Sequence, residues 1–132
     1  MSTTITKPFK GTATQGHLTE DVVLRLTYDT DDPYALQGRF TTATGSTDWM
    51  FSRELLEEAF IACEAGSGDV NFYVGTSTLV ISIFPQNETP SLIRLSRDGV
   101  GGFLRRLEEI LPFRSIKIPE QAIDEFLREV LG

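Results

Sequence analysis

Between residues 22 and 96, apolar side chains recur at every second position in one short run after another. A period of two sends alternate side chains to opposite faces of a strand, so each run reads as a strand with one buried face. "VVLRLTYD" (22–29) puts Val22, Leu24, Leu26 and Tyr28 on one face and Arg25 and Thr27 on the other. "YALQGRFTT" (34–42) does the same with Tyr34, Leu36, Gly38 and Phe40. After a turn at "TGST" (44–47), "DWMFS" (48–52) sets Trp49 and Phe51 opposite Asp48, Met50 and Ser52. Three successive strands with short connections make an antiparallel meander. "DVNFYVG" (69–75), "TLVISIF" (78–84) and "SLIRLS" (91–96) read as a second set of three, joined by "GTS" and "PQNETP".

The period changes after each set. In "SRELLEEAFIACEAG" (52–66), Leu55, Leu56, Ala59, Phe60 and Cys63 form one helical stripe. Ser52 is suited to cap its start and Gly66 to stop it. In "SRDGVGGFLRRLEEIL" (96–111), Val100, Phe103, Leu104, Leu107, Ile110 and Leu111 form a second stripe, ended by Pro112. A third helix is expected over 119–131, with Pro119 in its first turn and Ile123, Phe126, Leu127, Val130 and Leu131 on one face. Residues 1–20, rich in Thr and Gly, hold at best one short edge strand with a frayed end.

These elements predict one α+β domain over residues 1–132, built as two strand–helix halves (22–66 and 69–111). Each half is an antiparallel meander followed by a helix, and both helices leave a strand through Ser-Arg-acid. That repetition suggests a duplicated unit with an added C-terminal helix.

Charge limits the function. The formal net charge is −7, a field that repels phosphate backbones and makes nucleic acid an unfavoured partner. The single cysteine, Cys63, has no disulfide partner in the chain and reads as a buried, reduced thiol on the helical stripe. No basic segment precedes an apolar run at the N-terminus, and no apolar run approaches about 18 residues. A cytoplasmic protein without signal peptide or membrane span is the expectation.

Residue clusters that could carry chemistry have plainer readings. Asp29, Asp31 and Asp32 could bind calcium or serve as acid and base, but the alternate spacing and sharp-turn glycine of a calcium loop are missing. Asp at the opening of a turn followed by Pro33 is ordinary turn chemistry. "GVGG" (99–102) could cradle a phosphate, but no Lys-Ser/Thr follows. Glycines inside a helix cost about 0.8–1 kcal/mol each, so close approach to a sheet, a helix or another subunit should offset Gly99, Gly101 and Gly102. His17 lacks metal-binding partners or a recognisable nucleophile. Trp49, Phe51, Phe72 and Tyr73 could stack single-stranded nucleic acid, yet acids, not bases, border them. No catalytic residue, cofactor site or metal site emerges, and the expectation is a non-enzymatic protein.

"LRLTYDTDDPYALQGRF", "DWMFSRELLEEAF" and "GDVNFY" together resemble the SsgA-like sporulation and cell-division proteins of actinobacteria. The family pattern reads roughly L-R-Y-D-T-x-D-P-Y-A, then an aromatic-rich W-x-F-x-R-x-L-L strand-to-helix junction, then G-D-V. The matching positions include Leu24, Arg25, Tyr28, Asp29, Thr30, Asp32, Pro33, Tyr34, Ala35, Trp49, Phe51, Arg53, Leu55, Leu56, Gly68, Asp69 and Val70. The resemblance implies a septum-positioning scaffold without catalysis, acting through protein partners such as FtsZ or a sister family member. It also implies a Whirly-like fold of two antiparallel sheets, homo-oligomers including trimers, and recruitment to the division septum. Tyr28, Asp29, Asp32, Pro33, Tyr34, Trp49, Phe51 and Arg53 are then candidate interaction residues, and Gly99, Gly101 and Gly102 a candidate subunit contact. A single-stranded nucleic-acid binder and a small-ligand binder are the alternative readings.

Overall fold

The computed structural model describes residues 2–84 and 89–113. Its elements run β1 (Thr4–Gln15), β2 (Leu18–Asp29), β3 (Ala35–Thr42), β4 (Gly45–Ser52), α1 (Arg53–Ala62), β5 (Glu64–Ser67), β6 (Val70–Val74), β7 (Thr78–Ile83), β8 (Ser91–Ser96) and α2 (Arg97–Ile110). The strands form one antiparallel sheet in the order β4-β3-β2-β1-β8-β7-β6-β5. The helix expected over 119–131 lies outside the described residues.

This architecture corrects the expectation of two separate meanders, each closed by a helix, in a Whirly-like pair of sheets. A single curled sheet of eight strands stands in their place. The element that makes it continuous is β1, in the segment read as a short, frayed edge. β1 pairs with β2 along its whole length, from Thr4 opposite Asp29 to Gln15 opposite Leu18. Its last residues, Thr12 to Gln15, also pair with Arg94 to Ser91 of β8. The threonines favour this strand because a β-branched side chain fits a pleated surface. Between Phe9 and Ala13 on the inner face comes Gly11, where a Cβ would run into the Arg94 carbonyl oxygen. Glycine is what lets β1 and β8 approach there.

The first helix also differs from its expected span of 52–66. It stops at Ala62, and Cys63 turns out of it in the left-handed region (φ 71°) with its side chain exposed, not buried. The next four residues form β5 instead of a last helical turn. Glu64 to Ser67 pair with Tyr73 to Val70, and the Val74 N–H donates to the Cys63 carbonyl at 2.8 Å. Gly66 therefore sits in a strand and does not end the helix.

The inner face of the sheet and one stripe of each helix make the core. Leu24, Leu26, Tyr28, Leu36, Phe51, Phe72, Leu79, Ile81 and Ile93 meet Leu56 and Ala59 of α1 and Val100, Phe103, Leu104 and Leu107 of α2. Phe51 on β4 and Phe72 on β6 stand 5.7 Å apart edge to face, although five strands separate them in the sheet. The two wings of the sheet thus curl toward one another. Each buried Val, Leu, Ile or Phe among them contributes about 1.5–3 kcal/mol. Both helices begin on a serine cap: Ser52 Oγ accepts the Leu55 N–H (3.3 Å) and Ser96 Oγ the Gly99 N–H (3.1 Å).

Candidate functional site

Most of the signature residues converge where β2 ends, the aspartate turn reverses the chain and α1 begins. Asp29 Oδ1 accepts the Asp31 N–H at 2.9 Å, and the Asp32 N–H donates to the Asp29 carbonyl at 2.9 Å. The Asp29 carboxylate thus shapes its own turn. Thr30 clips the turn to the start of the chain, exchanging bonds with Thr3 at 2.9 and 3.0 Å. Among the described residues, no three acids, histidines or cysteines gather as metal ligands.

Beneath the turn lies a buried cation. Arg53 is the first residue of α1 and has no exposed surface. Its Nη1 donates to the Tyr28 hydroxyl and to the Leu111 carbonyl, both at 2.9 Å. Its Nη2 donates to Glu108 Oε2 at 3.2 Å, and Nε reaches Glu57 Oε1 at 3.5 Å. The Tyr28 hydroxyl donates in turn to the Pro33 carbonyl at 3.1 Å. The guanidinium carbon lies 5.1 Å from the centre of the Tyr28 ring and 5.7 Å from that of Phe113. The Phe113 N–H returns to Glu108 Oε2 at 2.9 Å.

A buried charge is tolerated only when paired and hydrogen-bonded. Two carboxylates, a carbonyl and two ring faces meet that need here. The Leu111 carbonyl belongs to the C-terminal end of α2, where the helix dipole is negative and a cation is favoured. Burial pushes the Glu57 carboxyl above its ordinary value; Arg53 opposes this and Glu108 adds to it. That Glu57 rises despite its cationic neighbour fits the longer 3.5 Å contact, since the shorter bonds of Arg53 go elsewhere. The groups are bonded to one another, so the cluster works as a clasp between β2, the turn, α1 and the end of α2.

Other candidates lie apart from the clasp. Tyr34 accepts the Arg53 N–H on its carbonyl (2.9 Å) while its side chain is 47% exposed. Trp49 is half-buried opposite Gly38, and Phe51 is buried against Phe40 and Phe72. With Phe72 also buried and Tyr73 on the outward side of β6, these rings form no shared stacking platform. The glycines occupy the opposite end of α2 from Glu108. A Cβ on Gly99 would meet Phe9 at 3.5 Å, and one on Gly101 would meet Phe60 of α1 at 3.2 Å. Both neighbours are within the chain, and only the Gly101 approach is tighter than ordinary van der Waals contact. Gly102 faces only Arg105, at 3.6 Å.

Sequence reasoning missed Glu57, Glu108, Leu111 and Phe113 as partners of Arg53. One local signal existed: a cation in the first turn of a helix opposes the dipole, and a glutamate stood four residues on to receive it.

The clasp and turn coincide with a family motif. A family model described as Streptomyces sporulation and cell division protein, SsgA, matches residues 22–115. The chain belongs to the SsgA family. It is 33% identical over 98 residues to the sporulation-specific cell division protein SsgB of Kineococcus radiotolerans, covering 66% of this chain and 55% of that protein. It is 32% identical over 91 residues to SsgB of Streptomyces coelicolor, covering 66% of each. The chain thus spans just over half to just under two-thirds of these relatives' length. A solved structure from work on SsgB mutations and longitudinal cell division during sporulation of Streptomyces coelicolor superposes with a TM-score of 0.76 at 26% identity, covering 87% of this chain and 94% of that one. As an SsgA-family member, the chain has sporulation and cell-division proteins as its relatives. Among the described residues no helix is long and apolar enough to cross a membrane.

Proposed function

We propose that this chain is a non-enzymatic, protein-binding regulator of sporulation-specific cell division, acting at the septum by recruiting the FtsZ machinery or a sister family member. Family membership over residues 22–115 carries the reading. The clasp supports it: the signature residues Tyr28, Asp29, Pro33 and Arg53 are engaged inside the chain and give the fold its rigidity. Function then falls to outward surfaces, where the exposed Asp32 and Tyr34 of the signature are candidate partner contacts. A homo-oligomer, including a trimer, belongs to the same proposal, with Gly102 the least covered of the three helix glycines.

The test is a deletion in a sporulating actinobacterium, complemented by a fluorescent fusion. Misplaced or missing septa, and fusion signal at septa, are expected, with FtsZ co-purifying. Normal septation together with uniform fluorescence overturns the proposal.

A further inference from the structure

The sheet face turned away from the helices carries a charge arrangement that strand pairing alone disfavours. Arg25 of β2 and Arg39 of β3 stand directly opposite one another, and one pair further along on that face Thr27 stands opposite Gln37. Like charges in opposed positions destabilise a strand pair. One guanidinium is neutralised: Arg39 makes a two-bond contact to Asp48 of β4 at 2.8 and 3.2 Å. The Asp48 carboxyl is held below its usual range by that bond. Arg25 has no bonded partner among the described residues. These side chains and Met50, itself 57% exposed, line one shallow depression of about 590 Å³. Lys10 and Arg94 extend the cationic face across β1 and β8, while Glu54 and Glu58 lie on the exposed side of α1.

We propose that the outer face of β2–β4 docks an acidic protein segment in which a carboxylate stands beside an apolar side chain. The carboxylate bridges Arg25 and Arg39, and the apolar side chain covers Met50. On this face Asp21 and Asp48 offset the cations, and the chain as a whole carries −7. So weak a field holds one or two carboxylates, not a phosphate backbone or a lipid layer. This reading rests on the protein-binding role proposed above and gives it a surface and a partner chemistry.

The test is an amide NMR titration of the isotope-labelled full chain with a short synthetic peptide, Glu-Leu-Glu in a Gly/Ser frame. Controls are its Gln-Leu-Gln version, oligothymidylate and phosphatidylserine-containing vesicles. Shifts confined to Arg25, Thr27, Gln37, Arg39 and Met50 are expected with the Glu peptide and not with the Gln peptide. Arg25→Gln weakens binding about tenfold, the scale of one charge-assisted bond. Asp48→Asn, which frees Arg39, tightens it, and a purely structural Asp48 would not. Both side chains are exposed, so the variants keep the fold, which their spectra verify. Shifts elsewhere, equal response to the Gln peptide, unchanged affinity in Asp48→Asn, or tighter binding of oligothymidylate or vesicles overturns the proposal. A failed titration beside a septation defect in the deletion strain sinks this surface alone; normal septation sinks the division role itself.

Discussion

The Arg53 guanidinium and the Tyr28 hydroxyl lie 2.9 Å apart, and neither residue is exposed to solvent. The first residue of α1 is thereby bonded to the last inward-facing residue of β2, and through the Pro33 carbonyl to the turn. Replacing Arg53 by Met leaves Glu108, Glu57 and the Leu111 carbonyl without their cation. A loss of about 1–3 kcal/mol is expected, because the Leu111 carbonyl loses its donor while Glu108 is half-exposed and stays hydrated. Urea unfolding monitored by circular dichroism reads it, with Arg53→Lys falling between variant and parent.

The turn separates a working aspartate from a bystander. Asp29→Ala removes the acceptor of the Asp31 N–H and should lower stability by about 1 kcal/mol. Asp31→Ala removes an exposed carboxylate and should stay within about 0.5 kcal/mol of the parent. Thermal melts of the two variants side by side check the difference.

Two glycines should respond in opposite directions. Gly11→Ala drives a methyl group into the Arg94 carbonyl and toward Leu95 Cδ2 at 2.7 Å, prising β1 from β8. About 1–3 kcal/mol of overpacking is expected. Gly102→Ala meets only Arg105 Nη2 at 3.6 Å, so it should gain about 0.8–1 kcal/mol from helix propensity. Unfolding midpoints at matched concentration test both signs.

Glu57 gives a pH signature. Its carboxyl sits above the ordinary value of 4.5, so the folded chain binds this proton more tightly than the unfolded chain. Stability from this group is therefore lost as pH rises from that value through the higher folded one. In Glu57→Gln the loss is absent. The stability of the variant relative to the parent should rise as pH increases above about 4.5. A relative fall over that range would show that the Arg53 contact outweighs burial.

What could be read in advance follows from distance along the chain. β2, β3, β4, β6, β7 and β8 and the stripe of Val100, Phe103, Leu104 and Leu107 were legible, because a local period encodes which face is buried. β1 was not, since Lys7 and Gly11 interrupt its inner face and blur the alternation. β5 was hidden by its four-residue length and by helix-favouring Glu64 and Ala65. The single sheet depends on Thr12–Gln15 meeting Ser91–Arg94, a pairing that no local pattern specifies. The partners of Arg53 lie 25, 55 and 58 residues away, at Tyr28, Glu108 and Leu111. The motif marked Arg53 and Tyr28 as family residues without revealing that they touch.

A double-mutant cycle over Tyr28→Phe and Arg53→Met, read as urea unfolding free energies, tests most directly whether the signature is an internal clasp. The clasp predicts that both single variants are destabilised and that the pair couples by about 1 kcal/mol or more, because the hydroxyl serves the guanidinium. Additive effects, with each single variant within about 0.5 kcal/mol of the parent, would contradict it and return these residues to the surface as partner contacts.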